Sequence, residues 1–369
     1  MMNTARFLKA FMIGIAFLFL SSCGFKDIDK RIFVLGIGVD YSGNEKKPYK
    51  VTLKLAVPSG SLKETGTKYV YLSKEESSLA GAIRFLKTHV DKELDFGHTK
   101  LIIFGEGILK RDFKDTMDFF FRRRDIQMIS WVAVGRPSAE KVLKVEPKSE
   151  MSGSSALSNL FSNNGVENAY IVSTYLFDAR RRILEAGIDP ILPIIRSDKD
   201  RTKLIVNRSY IFTEHKKALK LGPKRTKFYN LLANKTEKLD IEVQNKNKGF
   251  TMAVEAAKVK YKIITAPRKK PVLKMDIMFT GIVEEANFNM SPANLDTYSK
   301  MTSKHTKKEV LKVLKHLQRE KADPLGFGLR YKATRIDNGK RYQEWKKIYP
   351  NLVFDVSVNV KIRSTGTIE

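Results

Sequence analysis

The chain has 369 residues, 42% of them hydrophobic and 10% aromatic, so it can bury real cores and is too long for one ordinary domain. Its 68 Lys and Arg against 40 Asp and Glu give a formal net charge of +28, which suits contact with polyanions such as anionic headgroups, acidic wall polymers or nucleic acid. A single cysteine, Cys23, excludes any fold that rests on internal disulfides.

The first segment, "MMNTARFLKA", carries Arg6 and Lys9 and no acid, and an unbroken apolar run covers 10–20. That run is far short of the ~20 residues needed to span a bilayer, but it fits the apolar region of a signal peptide. "LSSC" follows: Leu20, two serines and Cys23. This stretch resembles the bacterial lipobox. The resemblance implies a diacylglyceryl thioether on Cys23 and cleavage just before it; the alternative is an ordinary signal peptide with an incidental cysteine. Two acyl chains anchor a protein stably where one binds only marginally. No later segment has an apolar run of spanning length.

Residues 32–40 ("IFVLGIGVD") read as a strand, and "YKVTLKLAVP" alternates as a second, joined to it as a hairpin through "SGNEKKP". In "SSLAGAIRFLKTHV", Leu79, Ile83, Leu86 and Val90 share one helical face, with Ser77 or Ser78 as the N-cap. "TKLIIFGE" is a short buried strand. "RDFKDTMDFFFRRRD" reads as a helix capped by Asp112, with Phe113, Met117, Phe120 and Phe121 inward, and "MISWVAVG" as a strand. Arg122, Arg123 and Arg124 fall at that helix's C-terminus, where they complement its partial negative charge or form a binding patch. Residues 147–168 are rich in Ser, Asn and Gly and read as a loop. "STYLFDARRRILEAGIDPILP" is a helix capped by Ser173 or Thr174 and ended by Gly187, with Pro190 and Pro193 beyond. A charged linker, 196–203, then marks a domain boundary.

"LIVNRSYIFTEHKKALKLGP" reads as two strands with a basic turn, and Pro223 opens a helix to about Leu232. Long strands follow in "LDIEV", "GFTMAVEAAKVKYKIITAP" and "KPVLKMDIMFTGIVEEA". Residues 291–321 form a long helix with Val310, Val313, Leu314 and Leu317 inward and lysine outward. "ADPLGFG" breaks it, and "GKRYQEWKKIY" is a short helix. The last strand alternates Phe354, Val356, Val358, Val360 and Ile362 against Asp355, Ser357, Asn359 and Lys361, as a sheet with one wet face requires. The expected fold class is therefore α+β (mixed α/β). We expect three domains, each a mostly antiparallel or mixed sheet with packed helices, after a cleaved lipoprotein signal peptide. The boundaries are 1–22 for the signal peptide, 23–198 for an N-terminal mixed α/β domain, 199–238 for a small middle domain and 239–369 for a C-terminal α+β domain.

Motifs for catalysis are absent from the sequence. The five histidines, His89, His98, His215, His305 and His316, include no helical i, i+4 pair of the zinc-protease kind. There is no phosphate-loop glycine-lysine signature and no G-x-S-x-G elbow. Asp198 and Asp200 lack the glycine and distant glutamate of a calcium loop. Glu284 and Glu285 are adjacent on a strand and point to opposite faces, so they cannot pair as acid and base. The basic excess is not interleaved with aromatics, and a nucleic-acid role conflicts with export. We expect no enzyme, no cofactor and no metal.

Several segments together resemble the Ger(x)C family, the C-subunit lipoproteins of nutrient germinant receptors in spore-forming bacteria. "DIDKRIFVLGIGVDYSG" looks like the family's opening strand, with Gly38, Val39 and Asp40 at its turn. His98 and Lys100 stand in its "H-x-K" strand, and Arg124 and Asp125 in its "Rd" helix segment. "LFDARRRILEAGIDPILP" is similar to the helix with a G-x-x-P-x-x-P ending. Asp323, Pro324, Gly326, Phe327, Gly328 and Trp345 stand where the family carries its D-x-x-G-x-G and tryptophan signature. Gly24 and Phe25 depart from the tryptophan and aspartate often found after the lipid cysteine, and the middle threonine-arginine-glycine stretch appears only as "GPKRTKFYNLL". The resemblance implies a non-catalytic, membrane-anchored subunit on the outer face of the spore inner membrane. It also implies partnership with two integral membrane subunits, A-type and permease-like B-type. Anionic membrane is the further partner that the charge suggests. The competing reading is an extracytoplasmic solute-binding lipoprotein that closes over a small molecule at the 196–203 linker; a third is a lipoprotein that binds wall polymers. Bland roles for the signature also stand: a turn for Gly326 and Gly328, core filling for Trp345.

Overall fold

The computed structural model describes residues 30–57, 68–109, 111, 113–145, 161, 168–198, 200, 203–214, 218–245, 247–336 and 338–365. Residues 1–22, expected as a signal peptide, and Cys23, Asp112 and His215 lie outside the described residues.

The first sheet grows from the expected hairpin. β1 (Arg31–Tyr41) pairs antiparallel with β2 (Tyr49–Val57), and β3 (Lys68–Glu76) adds on β2. Helix α1 (Leu79–Leu86) begins at Ser78, whose Oγ accepts the Gly81 N–H at 3.1 Å. It stops one turn before Val90, which is half-buried in extended chain. β4 (Glu93–Asp95) and β5 (Leu101–Gly105) both run parallel to β1. Short α2 (Glu106–Leu109) and α3 (Phe113–Arg122) lead to β6 (Trp131–Arg136), parallel to β5. α4 (Ala139–Leu143) and α5 (Leu176–Leu184) lead to β7 (Ile191–Ser197), parallel to β6. β8 (Leu204–Phe212) and β9 (Ala218–Leu221) close the sheet antiparallel. The order is β3-β2-β1-β5-β6-β7-β8-β9, with β4 beside β1. The parallel strands β5 and β6 are buried along their length, which is why they read as continuous apolar runs. One face packs on α1, α3 and α5, with Ile37, Phe104, Met117, Phe120 and Leu176 in the core; the other packs on α4.

The second sheet has the order β10-β11-β12-β13. α6 (Pro223–Leu232) enters its core, followed by β10 (Leu239–Asn245) and a long antiparallel pair, β11 (Lys248–Ile264) and β12 (Val272–Ala286). α7 (Leu295–Arg319), α8 (Phe327–Ala333) and α9 (Arg341–Ile348) form the crossover to β13 (Val353–Ile362), which lies parallel to β12. α7 buries Val310, Val313, Leu314 and Leu317, as its spacing predicts.

The architecture is mixed α/β, as the sequence implies, and local differences have local reasons. β3 escaped the pattern because its charged residues, Lys74, Glu75 and Glu76, mask its alternation. β7 was hidden by Pro190 and Pro193. It pairs with β6 only from Ile194 onward, so Pro193 stands outside that ladder. α5 starts after Tyr175 with no side-chain cap; Thr174 turns its hydroxyl inward to the Ile191 carbonyl at 2.8 Å. The segment 199–238 holds no sheet of its own among the described residues. Its strands β8 and β9 extend the first sheet, and its helix α6 packs on the second core.

Candidate functional site

The two sheets share a core in which Ile191, Ile211 and Leu221 pack with the second sheet, and they are also joined by hydrogen bonds where the loop after α5 meets the turn between α7 and α8. Arg182 lies on the buried face of α5 with Leu176 and Ala179. Its Nε donates to Asp178 Oδ2 at 2.9 Å, and its Nη1 donates to the carbonyls of Asp189 (3.2 Å) and Pro324 (2.9 Å). One guanidinium thus bonds main chain from both halves of the molecule. Asp178 answers Arg181, Arg182 and Lys235, and although burial pushes its carboxyl up, these cations hold it below the usual range.

Gly187 follows at φ +96°. Its carbonyl accepts the Leu329 N–H at 2.8 Å, and a Cβ here would sit 2.6 Å from the main chain of Gly328 and Leu329. The Asp189 N–H donates to the Asp323 carbonyl at 2.9 Å, and Asp189 Oδ2 accepts the Asp323 N–H at 2.6 Å. Asp323 then caps α8: Oδ1 accepts from Phe327 N–H (2.9 Å) and Oδ2 from Gly328 N–H (2.7 Å). The turn into α8 passes through Gly326 at φ +72°. Gly328 lies flat against Trp345, where a Cβ would fall 2.5 Å from the indole. Trp345 is buried and stacks on Tyr349 at 5.2 Å, and the Tyr349 hydroxyl bonds the Ala322 carbonyl at 2.7 Å.

A cavity of about 240 Å³ opens beside this contact, lined by Asp189, Glu214, Asp323, Tyr342, Trp345 and Lys346 among others. Glu214, past the end of β8, accepts the Tyr342 hydroxyl at 2.9 Å and pairs with Lys346 at 3.5 Å. Burial pushes the Asp189 carboxyl up to about 6 against the pull of the Asp323 N–H, and the Glu214 charge adds to the rise. Burial likewise pushes Asp323 up to about 7, although the N–H groups of Gly328 and Phe327 favour its ionised form. Burial and the bond to Glu214 raise the Tyr342 phenol. The site therefore offers two carboxyls that keep their protons to higher pH than exposed ones, and an aromatic wall. Among the described residues no group of three His, Cys, Asp or Glu side chains is placed to hold a metal. The arrangement suits holding two bodies together or receiving a small polar ligand.

Two family models match the chain. "Spore germination protein N-terminal domain" matches residues 24–197, and "Spore germination B3/GerAC like, C-terminal" matches 207–366. The chain belongs to the Ger(x)C family of spore germination proteins. Among relatives, spore germination protein GerQC of Bacillus cereus is 24% identical over 75% of this chain and 77% of its own. Spore germination protein KC of Bacillus subtilis (strain 168) is 21% identical over 97% of this chain and 96% of its own. The crystal structure of the GerBC protein shares the fold, with a TM-score of 0.59 at 17% identity over 89% of this chain and 97% of that one.

The Ger(x)C signature divides between this junction and the first sheet. Gly187, Asp323, Pro324, Gly326, Phe327, Gly328 and Trp345 meet at the junction. Asp40 does not: it is buried at the end of β1, where its carboxylate accepts the N–H groups of Ala139 (2.8 Å) and Glu140 (2.9 Å) and so caps α4. Burial raises its carboxyl, while those two bonds oppose the rise. Gly38 leaves room on β1 for Ala139 and Leu143 of α4. His98 packs its ring on Phe33 at 4.4 Å, and Lys100 bonds through its main chain to Leu35. Asp125 pairs with Arg123, which also covers Phe96, while Arg124 is exposed. Sequence reasoning missed Arg182, Asp189, Glu214 and Tyr342. For Arg182 a signal existed: the i, i+3, i+6 spacing from Leu176 places it on the apolar face.

Proposed function

We propose that this chain is a non-catalytic, lipid-anchored subunit of a spore nutrient germinant receptor. Cys23 carries the lipid, and the folded part lies on the outer face of the spore inner membrane beside two integral membrane subunits, A-type and permease-like B-type. The observation that carries the reading is that the family match begins at residue 24, directly after the lipobox-like "LSSC", and runs to 366. No described helix is long and apolar enough to cross a membrane. The exposed lysines of α7, among them Lys304, Lys308 and Lys315, supply charge for an anionic membrane nearby. We further propose that 23–198, 199–238 and 239–369 act as three parts, the middle one linking the two sheets. A Cys23→Ala strain tests the anchor. The protein should leave the spore membrane fraction, and germination should slow for the nutrients this receptor serves. A variant that stays membrane-bound and germinates normally rejects the reading.

The cavity beside Asp189 and Trp345 favours a second reading, a solute-binding lipoprotein. A saturable, solute-specific rise in Tm would support it, and no shift with any germinant would leave the assembly role.

A further inference from the structure

The first sheet carries a cluster of cations away from the junction. Arg136 at the end of β6 is the register partner of Arg196 on β7. Arg208 on β8 stands opposite Ile194, and Lys220 on β9 opposite Tyr210. Cross-strand partners share a face, so all four cations stand on the face whose core holds Val134, Ile194 and Phe212. The carboxylate among them is Glu106, which pairs with Arg136 Nε at 2.7 Å and accepts the Tyr210 hydroxyl at 2.5 Å. Burial lowers the Lys220 ammonium, and the charges of Arg136, Arg208 and Arg196 lower it further against the pull of Glu106. Burial and the bond to Glu106 push the Tyr210 phenol up to about 12.

Two atoms make this more than a solvated basic surface. Nε of Arg196 and Nε of Arg208 are buried and have no hydrogen-bond partner. A buried guanidinium donor left without an acceptor is costly, and folded proteins keep few of them. An oxyanion brought to this face would offer acceptors that the two donors lack once the side chains turn out to meet it, because the planar fork of a guanidinium grips carboxylates in pairs of bonds. Glu106 on Arg136 already shows a carboxylate seated in this cluster.

We infer that Arg196, Arg208 and Lys220, beside the Arg136–Glu106 pair, form a docking site for an acidic, carboxylate-bearing segment of a protein partner. Its place in the sheet favours a protein over a lipid headgroup. β1 runs parallel to β5, β6 and β7, and the register sets Val39, Phe104, Val134 and Ile194 at one level. Arg136 and Arg196 therefore lie level with Tyr41, ten residues and roughly 33 Å from Arg31 at ~3.3 Å per residue. Arg31 is the end of the sheet nearest Cys23 in sequence, so the cluster faces away from the anchored end. This choice of partner rests on the anchor proposed above. β9 is also the last strand of the sheet among the described residues, which leaves an edge beside Lys220 for an extended segment.

The test uses the full-length protein in neutral detergent and a fluorescein-labelled oligoglutamate peptide read by anisotropy, so its outcome does not depend on whether Cys23 anchors the chain. The double variant Arg196→Gln/Arg208→Gln should bind the peptide about tenfold more weakly. Lys258→Gln/Lys260→Gln removes the same charge from exposed positions on β11 and should change binding less than about twofold. The first double variant should also melt at or above the wild-type Tm, since neither Nε loses an acceptor. Equal loss in both double variants, displacement of the peptide by millimolar inorganic phosphate, or loss of phosphatidylglycerol-vesicle binding in place of peptide binding would each overturn the proposal. A sharp fall in Tm would too, by making the two arginines structural.

Discussion

Asp189 and Asp323, 134 residues apart in sequence, are joined twice: side chain to main chain at 2.6 Å and main chain to main chain at 2.9 Å. Neither bond is local, and both hold the end of one sheet's loop to the turn of the other sheet's crossover.

That pair gives the molecule a pH dependence of known sign. The unfolded chain releases both protons near pH 3.8, while the fold keeps them to about 6 on Asp189 and about 7 on Asp323. Between those values the folded state binds more protons than the unfolded one. Its stability therefore falls as pH rises through this window, and the loss is complete above about pH 7. Asp189→Asn removes one titration and the charge beside the other. Relative to wild type, the variant should gain about 1–3 kcal/mol between about pH 4 and pH 8 in urea unfolding. A wild-type minus variant difference that stays flat with pH contradicts this.

Gly328→Ala should cost about 3 kcal/mol or more, because the new methyl would lie 2.5 Å from the Trp345 ring and 2.9 Å from Gly187 Cα, and neither can retreat in a packed junction. Gly222→Ala is the control: nothing lies within 4 Å of its Cβ position. Thermal melts should place the control near wild type and Gly328→Ala well below it. Trp345 fluorescence should redden in the damaged protein.

Lys227 and Asp240 form a lopsided ion pair. Lys227 Nζ meets Asp240 Oδ2 at 2.6 Å, with 5% of the lysine side chain exposed against 33% of the aspartate. Burial works against the lysine's charge, and the bonds to Asp240 and Tyr170 more than restore it. Asp240→Asn leaves the buried ammonium its bonds to the Tyr170 hydroxyl and the residue-240 carbonyl but no counter-charge, and should cost about 2–4 kcal/mol. Lys227→Met leaves a carboxylate that water can reach and should cost about 1 kcal/mol or less. Denaturant unfolding ranks the two; the reverse order would show that the lysine is rehydrated in place.

Much of the fold was legible because its signals are local. The alternation from Phe354 to Ile362, the Ser78 cap, and Pro223 at the first turn of α6 each act within a few residues. α8 was unreadable for the opposite reason. Its cap is the side chain of Asp323, and its packing partner is Gly187, on the other half of the molecule. The motif residues could be picked out as members of a signature, but not their meeting. Asp189 drew no notice because nothing near it in sequence accounts for its burial; Asp323 does. Likewise, β8 and β9 read as a separate unit after a charged linker, yet their register is set by β7, on the far side of that linker.

The junction is made chiefly from peptide groups and bare glycine surfaces: the carbonyls of Gly187, Asp189 and Pro324, and the N–H groups of Asp189, Asp323 and Leu329. Peptide groups are the same in every protein. A contact built from them is the same whatever side chains those positions carry, and among the described residues only Arg182, Asp189, Asp323 and Trp345 add side-chain chemistry to it. A C-terminal half grafted from a relative would therefore need to keep Asp323, Gly326 and Gly328 for this seat, and apolar side chains that fit Ile191, Ile211 and Leu221 in the shared core.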